Sequence, residues 1–574
     1  MRTLLRYLLP YRGRMTLGFS VKVMGTLAEL MLPYILSHIL KNVVIAQDVQ
    51  LILLWGGAMI LFAAIACVCN IVANRMAARV SSDFARQMRQ DLFDRTLRLS
   101  AAQTDRFTIP SLESRITSDT YHAHSFINMM QRMGVRAPIM LIGGMVITLL
   151  MDAYLALAML AMLPLIFITV YCISRKGVPL YSKVQQAVDR MIGVVREDIQ
   201  GIRVIKALSK TDYEQRRYDG VNSALVRHET RAGITMGAVN PIMTLLMNVG
   251  IVAVVALSAA RVERGLSDPE TVIAFMQYFT LISMAMMSVT RMFVMYTKCA
   301  ASARRIAEVL NTADDMPVSD TRACPPADTD AHILFRDVCF SYKGKRDDLS
   351  HVGFALPRGG SLGIIGATGS GKSTLVKLLL RFYDPHTGAV YVDGQDIRTI
   401  EPARLYALFG TAMQQDFLYA DTIEENIRFG RELTHEDVVR AAAIAQADGF
   451  ITAFADGYEH RLASKGTNIS GGQKQRLLIA RAIAARPAIL ILDDSSSALD
   501  YKTDAALRRA LREELADTTV VTVAQRVSSV KDCDLILVLD EGRIIGAGVH
   551  DHLLECCPEY REISDSQMGG AFVE

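Results

Sequence analysis

The sequence predicts an all-α, six-helix transmembrane region followed by an α/β domain. Three observations predict it. Apolar runs long enough to cross a bilayer of roughly 30 Å are confined to the residues before about 298. Beyond about residue 331 the pattern changes to short strands and helices separated by turn signals. Hydrophobic residues make up 51% of the 574 and charged residues 21%, too apolar for a soluble chain with its usual quarter of charged residues. Such a chain buries ample apolar surface, which excludes disorder. Its length allows roughly three or four domains.

Six runs carry the transmembrane expectation: 15–43, 51–74, 127–151, 154–174, 236–260 and 269–297. The first is too long for a signal peptide, and no small-residue cleavage site follows it. Residues 1–14, MRTLLRYLLPYRGR, mix Leu and Tyr with four Arg and predict a short helix lying in the membrane interface. Arg and Lys are dense before the first run, between the second and third, and between the fourth and fifth. The positive-inside rule then puts both termini and the second domain in the cytoplasm, with the chain multi-pass in the cell membrane. The two basic connections, of about 50 and 60 residues, keep helical apolar spacing, as in FARQMRQDLFDRTLRL. They predict membrane helices that continue as rods. The expected division is 1–14 interfacial helix, 15–310 transmembrane region, 311–331 linker rich in Asp, Pro, Thr and Ala, and 332–574 nucleotide-binding domain.

Charge and cysteine content narrow the function classes. The 62 Lys and Arg against 59 Asp and Glu leave a net +3, which gives no case for a nucleic-acid partner. The nine Cys form no metal-like CxxC pair and read as reduced packing cysteines. Inside the spans, Lys22 and Glu29 lie seven apart on one helical face and are expected to pair with each other. Arg132 and Arg136 early in the third span, and Arg291 late in the sixth, read as side chains snorkelling at the cytoplasmic ends. The fifth and sixth spans are rich in methionine, from Met236 to Met295. That suits a cavity for varied apolar ligands, and equally suits ordinary helix packing.

Gly366-Ala-Thr368-Gly369-Ser370-Gly371-Lys372-Ser373-Thr374 matches the phosphate-loop pattern GxxxxGK[ST]. SLGIIG before it predicts a strand and STLVKLLLRFY after it a helix, the setting the motif requires. The glycines let backbone N–H groups turn toward phosphate, Lys372 reaches the terminal phosphates and Ser373 holds Mg²⁺. AILILDD at 488–494 predicts a buried strand ending in Asp493, which would complete the Mg²⁺ shell.

Asn468-Ile-Ser470-Gly471-Gly472-Gln473-Lys-Gln-Arg476 resembles the signature of ATP-binding-cassette (ABC) proteins. Other elements of that family fall in order. Tyr342, 24 residues before Gly366, matches its adenine-stacking aromatic. Gln414 matches its Mg²⁺-linking glutamine; Gln415 is adjacent, but alignment through Phe417 and Thr422 favours Gln414. Ser497-Ala-Leu-Asp500 matches the loop that communicates between sites, and SRITSD (114–119) and GIRVIKAL (201–208) resemble segments beside the coupling helices of exporters. Over nearly its whole length the chain is similar to one half of an ABC exporter. The resemblance implies ATP with Mg²⁺ held by Ser373, Gln414 and Asp493. It implies a second ABC half-transporter whose phosphate loop faces Ser470 to Gln473 of this chain.

Two positions depart from the family. Its general base is Glu where this chain has Asp494, one methylene shorter, and its switch histidine is replaced by Gln525. A misplacement of about 1 Å can cost on the order of 100-fold in rate, and glutamine does not titrate near neutral pH. These residues therefore predict a catalytic position that binds ATP and hydrolyses it slowly. The signature is intact apart from Ile469 in place of Leu. The combination resembles the degenerate-site subunit of heterodimeric exporters, whose mate carries Glu and His. A homodimeric slow ATPase, a nucleotide-gated regulatory subunit and a fused-type importer are the other readings. Amphiphilic drugs, lipids and peptides all stay open as substrates.

Overall fold

A computed structural model describes residues 1–45, 47–264, 269–319, 331–342, 344, 346–414, 417–495 and 497–568. Residues 320–330 of the expected linker, and Gln415, lie outside the described residues. The chain divides into two compact units: Met1–Arg98 with Thr108–Thr312, and Leu99–Phe107 with Ala313–Glu574. The helix Ala101–Phe107, expected as part of a membrane-helix extension, thus groups with the second unit. Gln103 Nε2 donates to the carbonyl of Ala313 at 2.7 Å, and the Tyr383 hydroxyl donates to Asp105 Oδ2 at 2.6 Å.

The first unit is helical. The helix Arg2–Leu8 ends at a 3-10 turn, Leu9–Tyr11, where Pro10 cannot continue the donor ladder. The helix Arg12–His38 follows, starting three residues before the expected run, and a π turn Ile39–Val43 closes it. Asp48 caps Val49–Leu97 by accepting from the amides of Gln50 and Leu51; Asp152 caps Ala153–Gln200 in the same way. These helices run 49 and 48 residues, more than twice what a bilayer core needs, so the basic connections are largely helical extensions. Among the described residues five stretches are long and apolar enough to cross a membrane: Thr3–Val43, Val49–Leu97, Ile109–Met151, Thr211–Glu263 and Glu270–Val289. The remaining expected span falls on Ala153–Gln200, where several side chains between 163 and 178 lie outside the described residues.

The expected Lys22–Glu29 pair is not formed. Lys22 is buried and donates to Asn70 Oδ1 at 2.7 Å and Asn74 Oδ1 at 3.2 Å; Glu29 makes an ion pair with Arg136. Residues seven apart share a face but stand about 10 Å apart along the axis, and both side chains reach neighbouring helices instead. Arg136 is accordingly a salt-bridge partner of Glu29 and not a freely snorkelling side chain.

The second unit holds two sheets. Strands β1 (Ala331–Phe340), β2 (Leu349–Pro357), β4 (Thr387–Val392) and β5 (Gln395–Asp396) form an antiparallel sheet in the order β2-β1-β4-β5. Strands β3 (Ser361–Gly366), β6 (Phe409–Ala412), β7 (Ile489–Asp493), β8 (Thr519–Val523), β9 (Leu535–Asp540) and β10 (Arg543–Gly548) form the other, in the order β10-β9-β3-β8-β7-β6. All pairings in it are parallel except β10 with β9. Its central strands are buried on both faces, hence the continuous apolar runs GII and ILIL. Parallel pairing brings the carboxyl ends of β3, β8 and β7 out together, which is where ligands bind in open α/β sheets. The helix after β3 spans only Lys372–Leu379 and stops before Arg381-Phe-Tyr. Arg381 takes φ +52° and bonds Asp384 Oδ1 at 3.0 Å, which turns the chain out of the helix.

Candidate functional site

The loop after β3 is fixed by backbone contacts that only glycine permits. A Cβ on Gly366 would stand 2.1 Å from the carbonyl oxygen of Leu539 on β9. Gly371 has φ +102°, and a Cβ there would meet Leu349 Cδ2 at 2.7 Å. The first contact, with backbone, is too close for a carbon, and the left-handed φ of Gly371 disfavours any side chain there. Lys372 then curls back, its ammonium donating at 2.8 Å to the carbonyls of both Gly366 and Ala367.

The loop rims a cavity of about 690 Å³. Thr368 to Thr374 line one side; Gln414, Asp493, Asp494 and Gln525 line the other. Asp493 ends β7, and Gln525 follows β8 by two residues. Asp494 sits at φ +51°, a left-handed conformation that aspartate tolerates better than most residues. That turn presents its carboxylate to two amides: Gln525 Nε2 donates to Oδ2 at 3.0 Å and Gln414 Nε2 at 3.2 Å.

Burial dominates the electrostatics. It raises the carboxyl pKa of Asp493, with the Ser373 hydrogen bond opposing and the Asp494 charge adding. It raises Asp494 likewise, against the Gln414 hydrogen bond and the Lys372 charge. It lowers Lys372, with Asp494 and Asp493 opposing. Two carboxylates and a lysine are thus held where their charged forms are strained.

The residues fit a nucleoside triphosphate with a divalent cation. Ser370 Oγ is buried and lacks a partner in the loop, leaving a donor for phosphate oxygen. Among the described residues no group of three or more His, Cys, Asp or Glu could hold a metal alone. Ser373, Gln414 and Asp493 offer an oxygen set that phosphate and water would complete, as a hard cation prefers.

Several expected site residues lie elsewhere. Tyr342 does not line the cavity; its ring packs edge-on against Phe340 and Tyr383, at centroid distances of 4.9 and 5.1 Å. Its hydroxyl lies 3.3 Å from Thr374 Oγ1. Ser470 caps the helix Gly471–Ala484, whose second residue is Gly472, and exchanges hydrogen bonds with Gln473 in a capping box. Asp500 caps Tyr501–Glu514, accepting at 2.8 Å from the Thr503 amide and hydroxyl. Sequence reading missed Arg346, Asp347, Asp348 and the turn Asp540-Glu541-Gly542, all of which line the cavity. The apolar run of β9 ending in Asp-Glu-Gly is the one signal for that turn, whose Gly542 amide donates to the Ser370 carbonyl.

Comparison with known proteins agrees with this architecture. Residues 15–286 match the family described as ABC transporter transmembrane region, and 349–497 match that described as ABC transporter. An ABC transporter ATP-binding protein of Mycobacterium tuberculosis (strain CDC 1551 / Oshkosh) is 33% identical over 573 residues, 99% of this chain and 98% of its own. One of Bacillus subtilis (strain 168) is 32% identical over 571 residues, 99% of each chain. The solved structure of a bacterial Atm1-family ABC exporter with ATP bound shares the fold at TM-score 0.80 and 24% identity, over 100% of this chain and 99% of that one.

Proposed function

We propose that this chain, which belongs to the ABC transporter family, is the degenerate-site half of a heterodimeric exporter for an amphiphilic substrate. The membership itself makes it a multi-pass membrane protein whose ABC-type ATPase is coupled to transport. In the proposed assembly both termini and the ATPase domain lie in the cytoplasm. ATP binds along the phosphate loop, and Mg²⁺ is held by Ser373, Gln414 and Asp493. Tyr342, outside the cavity but with its hydroxyl 3.3 Å from the cavity-lining Thr374 Oγ1, would supply the adenine contact. Hydrolysis of ATP, mainly at the mate's site, provides the free energy that resets the transporter.

The observation that carries the reading is the clamp on Asp494. Its carboxylate accepts from two amides, Gln414 and Gln525. A general base needs a carboxylate oxygen that reaches the attacking water; both amide bonds fall on Oδ2, and Oδ1 sits one methylene short of where a Glu carboxylate would stand. Asp494 is short, held by the amides through Oδ2 and flanked by a side chain that does not titrate near neutral pH. By contrast Ser470 to Gln473 form an ordered helix start away from this chain's own cavity. They are available to complete the site of a second cassette.

The test is composition. This chain is tagged, extracted gently from its native membrane and weighed as an intact complex by native mass spectrometry. A second half-transporter of different mass, with Glu and His at the matching positions, is the expected finding. A dimer of this chain alone with brisk ATP turnover sinks the proposal.

A further inference from the structure

Charges in the first unit are arranged in two ways. Glu29 and Arg136 neutralise one another. Arg132 and Arg291 do not find such partners. They line a cavity of about 590 Å³ between the helices Thr120–Met151 and Pro269–Leu310. Arg291 makes no hydrogen bond or ion pair among the described residues. Arg132 donates only to Asn74 Oδ1, at 3.3 Å, an oxygen it shares with the buried Lys22. The cavity's lining contains no Asp or Glu among the described residues.

Cations without counter-charge at the end of an apolar span are costly and repel each other. A bound anion removes both penalties. The site offers more than charge. Asn128 lines it, and its buried, unpartnered Oδ1 is an acceptor for a hydroxyl or N–H carried beside the head, not for the anion itself. Tyr121 and Ser125 also line it, and three thioethers, Met129, Met133 and Met295, give a wall that adapts to apolar bodies of varied shape.

We infer that this cavity binds the anionic head of an amphiphile, a sulfonate, carboxylate or phosphate ester, with its apolar body on the methionine wall. The inference rests on the exporter reading for the role of the site in loading substrate; the binding chemistry stands apart from it. A dissolved amphiphile and a resident anionic lipid share this chemistry.

The experiment uses the full-length protein with its co-purifying chain in phosphatidylcholine nanodiscs, without nucleotide. Tritiated taurocholate is the anionic probe and tritiated tetraphenylphosphonium the cationic one. Saturable taurocholate binding is expected, weakened about tenfold or more in R132Q/R291Q by loss of charge-assisted contacts. R132K/R291K, which keeps the charge, is expected to stay within about threefold of the parent, and guards against a merely misfolded variant. Phosphatidylglycerol in the discs identifies the source. If it competes with taurocholate and co-purifies only with the Arg-bearing protein, the head belongs to a lipid; if it does neither, to a dissolved amphiphile. Equal taurocholate affinity in parent and R132Q/R291Q, or preference for tetraphenylphosphonium, overturns the inference. Arg-dependent binding without ATP-driven uptake into vesicles would remove the exporter reading and leave the site.

Discussion

The two units place polar groups by different means. Around the phosphate loop each group is set by its own few residues: a glycine that admits close backbone approach, a strand that ends in Asp493, a serine that caps a helix. In the first unit polar partners lie far apart in the chain. Lys22 meets Asn70 and Asn74, 48 and 52 residues away, and Glu29 meets Arg136, 107 residues away. Local geometry writes itself into spacing. Pairing between helices does not, because helix order and rotation decide it.

The largest expected effect breaks the local side of that comparison. Gly366→Ala drives a Cβ into the Leu539 carbonyl. It is expected to cost about 3 kcal/mol or more and to abolish ATP binding, read by thermal scanning and by nucleotide titration. Retention of both would mean the loop is not anchored as described.

Next comes the non-local side. A double-mutant cycle on Glu29→Gln and Arg136→Gln is expected to give a coupling of about 1–2 kcal/mol, tempered by partial exposure of the pair. The same cycle on Lys22→Met and Glu29→Gln should give under about 0.5 kcal/mol. Reversed magnitudes would restore the pairing expected from helical spacing.

Smaller in free energy is the repair of the catalytic position. Asp494→Glu with Gln525→His in one chain lengthens the base and restores a titratable side chain. Turnover of the intact complex should rise about tenfold at this site, measured as phosphate release. An unchanged rate would place the defect elsewhere.

The smallest effect concerns pH. Burial raises the carboxyl of Asp494, so its ionised form strains the nucleotide-free fold above the raised folded-state pKa. The strain vanishes below the unfolded value of about 3.9. Asp494→Asn should therefore raise the apo Tm by about 1–2 °C at pH 7.5, and the gain should shrink as pH falls. A gain that grows on acidification would have the wrong sign.

Much of the nucleotide site was legible for the same local reason. The strand before Gly366, the strand ending in Asp493 and the helix after Ser470 stand where spacing put them. The loop helix was read too long, since nothing in STLVKLLLRFY reveals that Arg381 would bond Asp384. The Asp540-Glu541-Gly542 turn was signalled only by the end of an apolar run, and its place at the cavity was hidden because β9 meets β3 only through the sheet order. Grouping of Ala101–Phe107 with the second unit was hidden likewise. It depends on contacts with Ala313 and Tyr383, more than 200 residues away.

The central claim is that Asp494 and Gln525 leave this chain's ATP site binding but slow. Single-turnover hydrolysis by the intact complex, in excess over γ-³²P-labelled ATP and followed by rapid quench, tests it most directly. One fast phase from the mate's site and a retained, uncleaved ATP that cross-links to this chain's phosphate loop is the expected result. Equal rates of cleavage at both sites would contradict it.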